Sequence, residues 1–200
     1  MARKEQWSVG ELTITKGIRA GKDEKLAKVL RMYSCVPALI DADEFFTGNM
    51  ANGAYTLLLT VMPDALAHNI TVAQTAVGAE DTNGIITVVG TDINGLYTTE
   101  VITPNAGVTI QGTKAFKTIT SITGSGWVIG EGNDTIVIGY GELVGLPEKV
   151  ALAADILMVA HNTALVNAPT ATVSSTVTAL NTVTVPTGDG TKVLRVIYQV

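Results

Sequence analysis

The side chains best equipped for chemistry are few and poorly grouped. Asp41-Ala42-Asp43-Glu44 sets three carboxylates together, as calcium sites do, but lacks the alternating oxygen ligands and the glycine of a calcium loop. An exposed acidic loop is expected there. Asp92-Ile93-Asn94-Gly95 echoes the start of such a loop at the wrong spacing. His68 and His161 are far apart and lack zinc-binding company, Gly124-Ser125-Gly126 lacks the context of a nucleophile elbow, and no glycine-rich loop ends in Lys and Ser or Thr to cradle phosphate. Glu100, Glu131 and Glu142 would have to converge in space to act as an acid–base pair on a glycoside. Cys35 has no partner for an intrachain disulfide and sits among apolar neighbours, so it reads as a small core residue in a reducing compartment. No catalytic, metal or cofactor residue is assigned, and the chain is expected to be neither an enzyme nor a cofactor binder.

The elements that would position these residues are strands. Thr, Val and Ile supply 67 of the 200 residues, alongside 20 Gly and only 16% charged residues, a composition of strands and turns. The N-terminal stretch, residues 1–50, holds a possible strand at 11–16. It also holds a possible short helix, on which Leu26, Val29, Leu30 and Tyr33 fall at helical spacing. Residues 53–142 carry short apolar, β-branched runs at 55–62, 69–75, 84–89, 96–103, 108–111, 116–122, 127–129 and 135–140, separated by turn residues. Asn94-Gly95 predicts a tight primed hairpin turn. Within 115–122, Phe116 and Ile119 are out of phase for one strand face, which predicts a face shift or bulge. Residues 150–166 fit a helix or a strand pair, and 170–180, 182–185 and 192–200 read as strands. The expected fold is mainly β: an antiparallel sandwich, immunoglobulin-like or jelly-roll-like, spanning 51–200 with 143–200 adding strands to the same or an adjoining sheet. An extended arm with possibly one short helix, residues 1–50, precedes it.

Charge divides the chain. Residues 1–31 carry eight basic and four acidic groups, the rest five basic and fourteen acidic, giving the net charge of −5. The acidic body argues against nucleic acid as a partner, while the basic arm suits an acidic one. Trp127 lies within the strand pattern and reads as core. Trp7, in a segment with little core of its own, reads as an anchor on a neighbour. Arg3, Lys4, Trp7, Lys16 and Arg19 are the candidate partner-binding residues. No apolar stretch follows the charged start and no span suits a membrane, so neither a secretory signal nor a membrane partner is expected.

One ordered run carries a resemblance. It comprises Asn69-Ile70-Thr71-Val72, the stretch from Asp81-Thr82-Asn83-Gly84 to Asn94-Gly95, Thr99-Glu100-Val101-Ile102-Thr103, and Gly112-Thr113-Lys114-Ala115-Phe116-Lys117-Thr118 leading into Ser121-Ile122. This run resembles a recurrent module of tailed-bacteriophage and prophage virion proteins. The resemblance implies a β-sandwich module with a structural role, most often capsid decoration or another accessory function. The expected protein is a head decoration or cement subunit that binds the major capsid protein or another virion protein, assembled in the host cytoplasm. It is also expected to form a homo-oligomer, a trimer by analogy with the threefold sites of capsid lattices. A tail, baseplate or fibre component and a carbohydrate-binding attachment module are the alternatives.

Overall fold

The computed structural model describes residues 28–75, 84–105, 107–128, 134–162, 164–166, 170–185 and 188–200. The strand expected at 11–16 lies outside them. In chain order the strands are β1 (Leu30–Cys35), β2 (Asp41–Asn49), β3 (Gly53–Ala54), β4 (His68–Thr75) and β5 (Ile85–Thr91). β6 (Tyr97–Ile102), β7 (Thr109–Phe116), β8 (Thr118–Ser125) and β9 (Thr135–Gly145) follow. The C-terminal part holds β10 (Ile156–His161), β11 (Ala164–Leu165), β12 (Ala171–Thr172), β13 (Thr182–Thr184) and β14 (Leu194–Gln199), with single 3-10 turns at Ala153–Asp155 and Thr178–Leu180.

These strands form three antiparallel sheets, and the protein is mainly β. A hairpin sheet has the order β3-β8-β5-β6, and a terminal sheet the order β1-β14-β10-β11. The central sheet runs β12-β13-β9-β4-β7, with β2 also paired to β9. β9 is long enough to serve several partners: β4 takes one edge, while β2 pairs with its N-terminal half and β13 with its C-terminal end.

Period-two alternation explains the layering. Ile86, Val88, Ile102, Ile119 and Ile122 point inward from the hairpin sheet and meet Ile70, Val72, Phe116, Ile136 and Ile138 of the central sheet in one core, which Trp127 joins as expected. A second core joins Val144 and Val183 of the central sheet to Val159, Leu194, Val196 and Tyr198 of the terminal sheet. Each such side chain contributes about 1.5–3 kcal/mol by leaving water.

The phase break at 115–122 has a definite cause. β7 ends at Phe116 in the central sheet and β8 begins at Thr118 in the hairpin sheet, so the chain changes layers at Lys117. The Lys117 amide donates to the Thr91 carbonyl at 2.7 Å, and its carbonyl accepts from the Met62 amide at 3.1 Å. Gly90 faces this corner, where a Cβ would overlap the Thr118 carbonyl.

Several expectations need correction. The helix expected over 26–33 is not formed by its described part: Leu30–Cys35 is β1, paired along its whole length with β14. The hairpin at Asn94-Gly95 forms, but Asn94 does not take positive φ. Gly95 does, at +78°, while the Asp92 carboxylate accepts the Asn94 and Leu96 amides in a longer loop. Of the two alternatives open for 150–166, the strand pair holds, as β10 and β11. The strand expected over 170–180 is mostly irregular, because Asn181 draws that segment around itself. Its amide donates to the carbonyls of Ser174 and Val177, and its carbonyl oxygen accepts from the amides of Val150 and Ser174.

Candidate functional site

A buried polar cluster lies where β4 meets irregular stretches of both neighbours. Opposite Ile70, β7 inserts residues 112–114, and opposite Asn69, β9 inserts residues 141–143. Such bulges leave backbone groups without ladder partners. Asn69, fully buried, supplies them: its Nδ2 donates to Gln111 Oε1 at 2.7 Å and to the Gly112 carbonyl at 3.2 Å, and its Oδ1 accepts the Leu143 amide at 2.9 Å.

Next to it, His68 is 2% exposed. Its Nδ1 lies 3.2 Å from the Gly141 carbonyl and its Nε2 2.8 Å from Asp64 Oδ2. Asp64 also accepts the amides of Ala38 at 2.8 Å and Leu66 at 3.0 Å. Burial alone would raise the Asp64 carboxyl, but His68 and these two amide donors outweigh it and hold it below the usual range. Tyr140 packs against the His68 ring at 5.1 Å between centroids and donates its hydroxyl to the Leu39 carbonyl at 2.6 Å. Burial, then the nearby carboxylates of Glu44, Asp64 and Asp41, push its phenol up to about 12.

An Asp–His pair invites a catalytic interpretation, which the geometry does not support. Both ring nitrogens of His68 face acceptors, so neither is left to take a proton from a nucleophile. Burial also raises the Cys35 thiol to about 12, the wrong direction for a reactive cysteine. Cys35 packs against the second core, as its expected role requires. The cluster's work is to tie residues 36–39 and 64–68 to β9.

Beside this cluster lies an open cleft of about 670 Å³, with Ile40, Ala42, Tyr140 and Leu143 as its apolar lining and Gln111 and Glu142 as polar groups. The acidic run Asp41-Ala42-Asp43-Glu44 is part of β2 rather than a loop. A hydrogen bond between Asp41 and Asp43 holds the first carboxyl down and the second up. Among the described residues no set of His, Cys, Asp and Glu converges on a metal position. Glu100 is engaged elsewhere: its Oε1 accepts the Thr113 amide at 2.7 Å, the Thr113 hydroxyl at 2.8 Å and, more weakly, the Lys114 amide at 3.3 Å. Glu131 lies outside the described residues.

The outer face of the hairpin sheet has a different character. Its cross-strand rows read Val101–Thr87–Thr123, Thr99–Val89–Ser121 and Tyr97–Thr91–Thr118, with Ile85 paired to Ser125 at one end. None of these side chains is charged. Tyr97 and Val101 are 72% and 58% exposed, and Thr91 and Thr118 join their hydroxyls at 2.6 Å. The strands were legible in the sequence as apolar, β-branched runs between turn residues, but the face they share appears only once their register is known. The cluster of Asp64, His68 and Asn69 left no signal in the sequence, because its partners are largely backbone groups.

Arg3, Lys4, Trp7, Lys16 and Arg19 all lie outside the described residues. The described chain begins at Lys28, which pairs with Asp155, and Arg31 on β1 pairs with Glu148 at 3.0 Å. Among the described residues no helix is long and apolar enough to cross a membrane. Comparison with family models, curated proteins and solved structures gives no match to this chain.

Proposed function

We propose that this chain is a structural protein of a tailed-bacteriophage virion, a head decoration subunit that binds the capsid exterior through its basic arm and its β surfaces. The observation that carries this reading is the ordered residue pattern within 69–122. Its described residues fall on β4 to β8, consecutive strands that pass from the central sheet to the hairpin sheet and back before changing layers once more at Lys117.

The arm is the proposed grip. Lys28 and Arg31 are tied to acids of the body, so the preceding 27 residues leave from a fixed point. Fully extended they reach about 90 Å, enough to cross onto a neighbouring subunit of a shell. Arg3, Lys4, Lys16 and Arg19 supply attraction to an acidic acceptor and Trp7 a pocket anchor.

The test is a truncation that stops before Lys28, because Leu30 and Arg31 belong to a paired strand. The shortened protein is expected to keep its β circular-dichroism spectrum and to lose most of its co-sedimentation with undecorated heads. Co-sedimentation equal to that of the full chain would overturn the arm's role.

A further inference from the structure

We propose that the cleft beside the Asp64 and His68 cluster is the docking site for the chain's own N-terminal segment, with Trp7 seated between Ile40 and Leu143 and with Arg3 and Lys4 on the acidic rim. This inference concerns the free protein and stands whether or not the protein belongs to a virion.

The first argument is uncompensated charge. Glu142 lines the cleft, as does Tyr140, whose phenol feels the carboxylates of Asp41 and Glu44. Asp43 hydrogen-bonds to Asp41 beside them. No ion pair among the described residues reaches any of these four acids. Asp43 is held up by its bond to Asp41, and Glu44 by burial and then by Asp41, the opposite of what a neighbouring cation would do. Of the thirteen Lys and Arg in the chain, seven are described, and none of those lines the cleft. Lys28, Arg31 and Lys192 hold acids elsewhere, and Lys114 and Arg195 hold carbonyls. All the other cations, Arg3 and Lys4 among them, lie in residues 1–27. The segment that precedes Lys28 therefore carries the charge that this rim lacks.

The second argument is shape and polarity. At about 670 Å³ the cleft has the size of pockets that enclose a large side chain with its neighbours. Ile40 on its wall is 47% exposed and Leu39 next to it 59%, an apolar pair left wet directly before the acids of β2. A purely charged segment would leave them wet, whereas an indole covers them, and its N–H finds an acceptor in Glu142. Trp7 is the only aromatic residue of 1–27. Arg3 and Lys4 precede it by an extended length of about 10–14 Å, so they can rest on β2 while the ring fills the cleft.

The third argument is the tether. Lys28 is fixed to Asp155, and the chain from Trp7 to Lys28 extends to at most about 70 Å. A body of this length has a radius of gyration of about 16 Å, so no part of its surface is beyond that reach. Such a tether holds the segment at an effective concentration on the order of millimolar, which favours the chain's own cleft over that of a second copy in micromolar solution. An arm that grips a neighbour has to leave this cleft first.

Acrylamide quenching of tryptophan fluorescence reads the contact in the full-length protein, with Trp7→Phe supplying the signal of the buried Trp127 alone. Trp7 in the wild type is expected to show a quenching constant at least about threefold below that in the rim variant Asp43→Lys with Glu142→Lys, as burial of an indole requires. Both rim positions are exposed, so the β circular-dichroism spectrum is expected to stay unchanged. Arg3→Glu with Lys4→Glu is expected to expose Trp7 to the same degree, and the four reversals combined to cover it again. Ile40→Ser, which keeps every charge, is expected to expose it too. A wild-type Trp7 as open to acrylamide as in urea would overturn the proposal. So would protection that survives the rim or Ile40 variants, or combined reversals that fail to restore it. Protection lost on dilution from about 50 μM to about 1 μM would seat the segment in a second copy and overturn the intramolecular contact.

Discussion

At the scale of single residues, the interior is held by groups that satisfy displaced backbone. Asn69 meets the bulges of both neighbouring strands with one amide side chain, and Asp64 gathers a histidine and two main-chain amides. The Asp64 carboxyl titrates lower in the folded protein than in the unfolded chain, despite the opposing effect of burial. Its stabilisation is therefore fully present above the unfolded carboxylate range and is lost as pH falls through the lower folded value. Wild type is expected to lose unfolding free energy below about pH 4. Asp64→Asn should be less stable at neutral pH by about 2–4 kcal/mol, since it weakens bonds to a charged acceptor and puts an amide group against His68. The variant should also show a flatter acid limb, measured by denaturant titration across pH. An unaltered acid limb would show that other carboxyls govern acid unfolding. None of this was visible in the sequence: Asp64 and His68 sit four residues apart like many pairs, and the partners that fix them are the carbonyl of Gly141 and the amides of Ala38 and Leu66.

At the scale of elements, legibility depended on whether a strand has one wet face. β4, β5, β6 and β9 alternate or run apolar between turn residues, and each was readable. The out-of-phase pair Phe116 and Ile119 correctly signalled a discontinuity, though only the fold reveals it as a change of sheet. β1 was misread because all but one of its residues are half-buried, leaving no period-two contrast, while Leu26, Val29, Leu30 and Tyr33 happen to suit a helix. Its strand conformation comes from six consecutive pairings with β14, an interaction with the far end of the chain. The open edges are managed locally. Glu100 on β6 caps the displaced amides of β7, and Lys114 on β7 covers the Thr99 carbonyl of β6, so the two edge strands are cross-braced by side chains. Glu100→Ala is expected to cost about 1–2 kcal/mol in urea unfolding and to speed hydrogen exchange at the amides of Thr113 and Lys114. Unchanged exchange there would mean the brace is dispensable.

At the scale of the whole molecule, three antiparallel sheets enclose two cores, and the described groups that most invite chemistry are engaged in structure. The Asp–His pair is saturated, the lone thiol is raised, and Glu100 binds backbone. What distinguishes the described surface is an uncharged β face on the hairpin sheet of a body whose sequence is rich in acids. The acidic balance of residues 32–200 was readable from composition. The neutral face required the register of β5, β6 and β8, because a face is defined by which strands lie side by side. The central claim is that this protein works as a structural subunit on the outside of a phage head. Cryo-electron microscopy of the intact virion tests it most directly: the account predicts density fitting these three sheets on the capsid exterior, with an extended segment leading from Lys28 onto a neighbouring subunit. Density for this chain confined to the tail, or its absence from the particle, would contradict it.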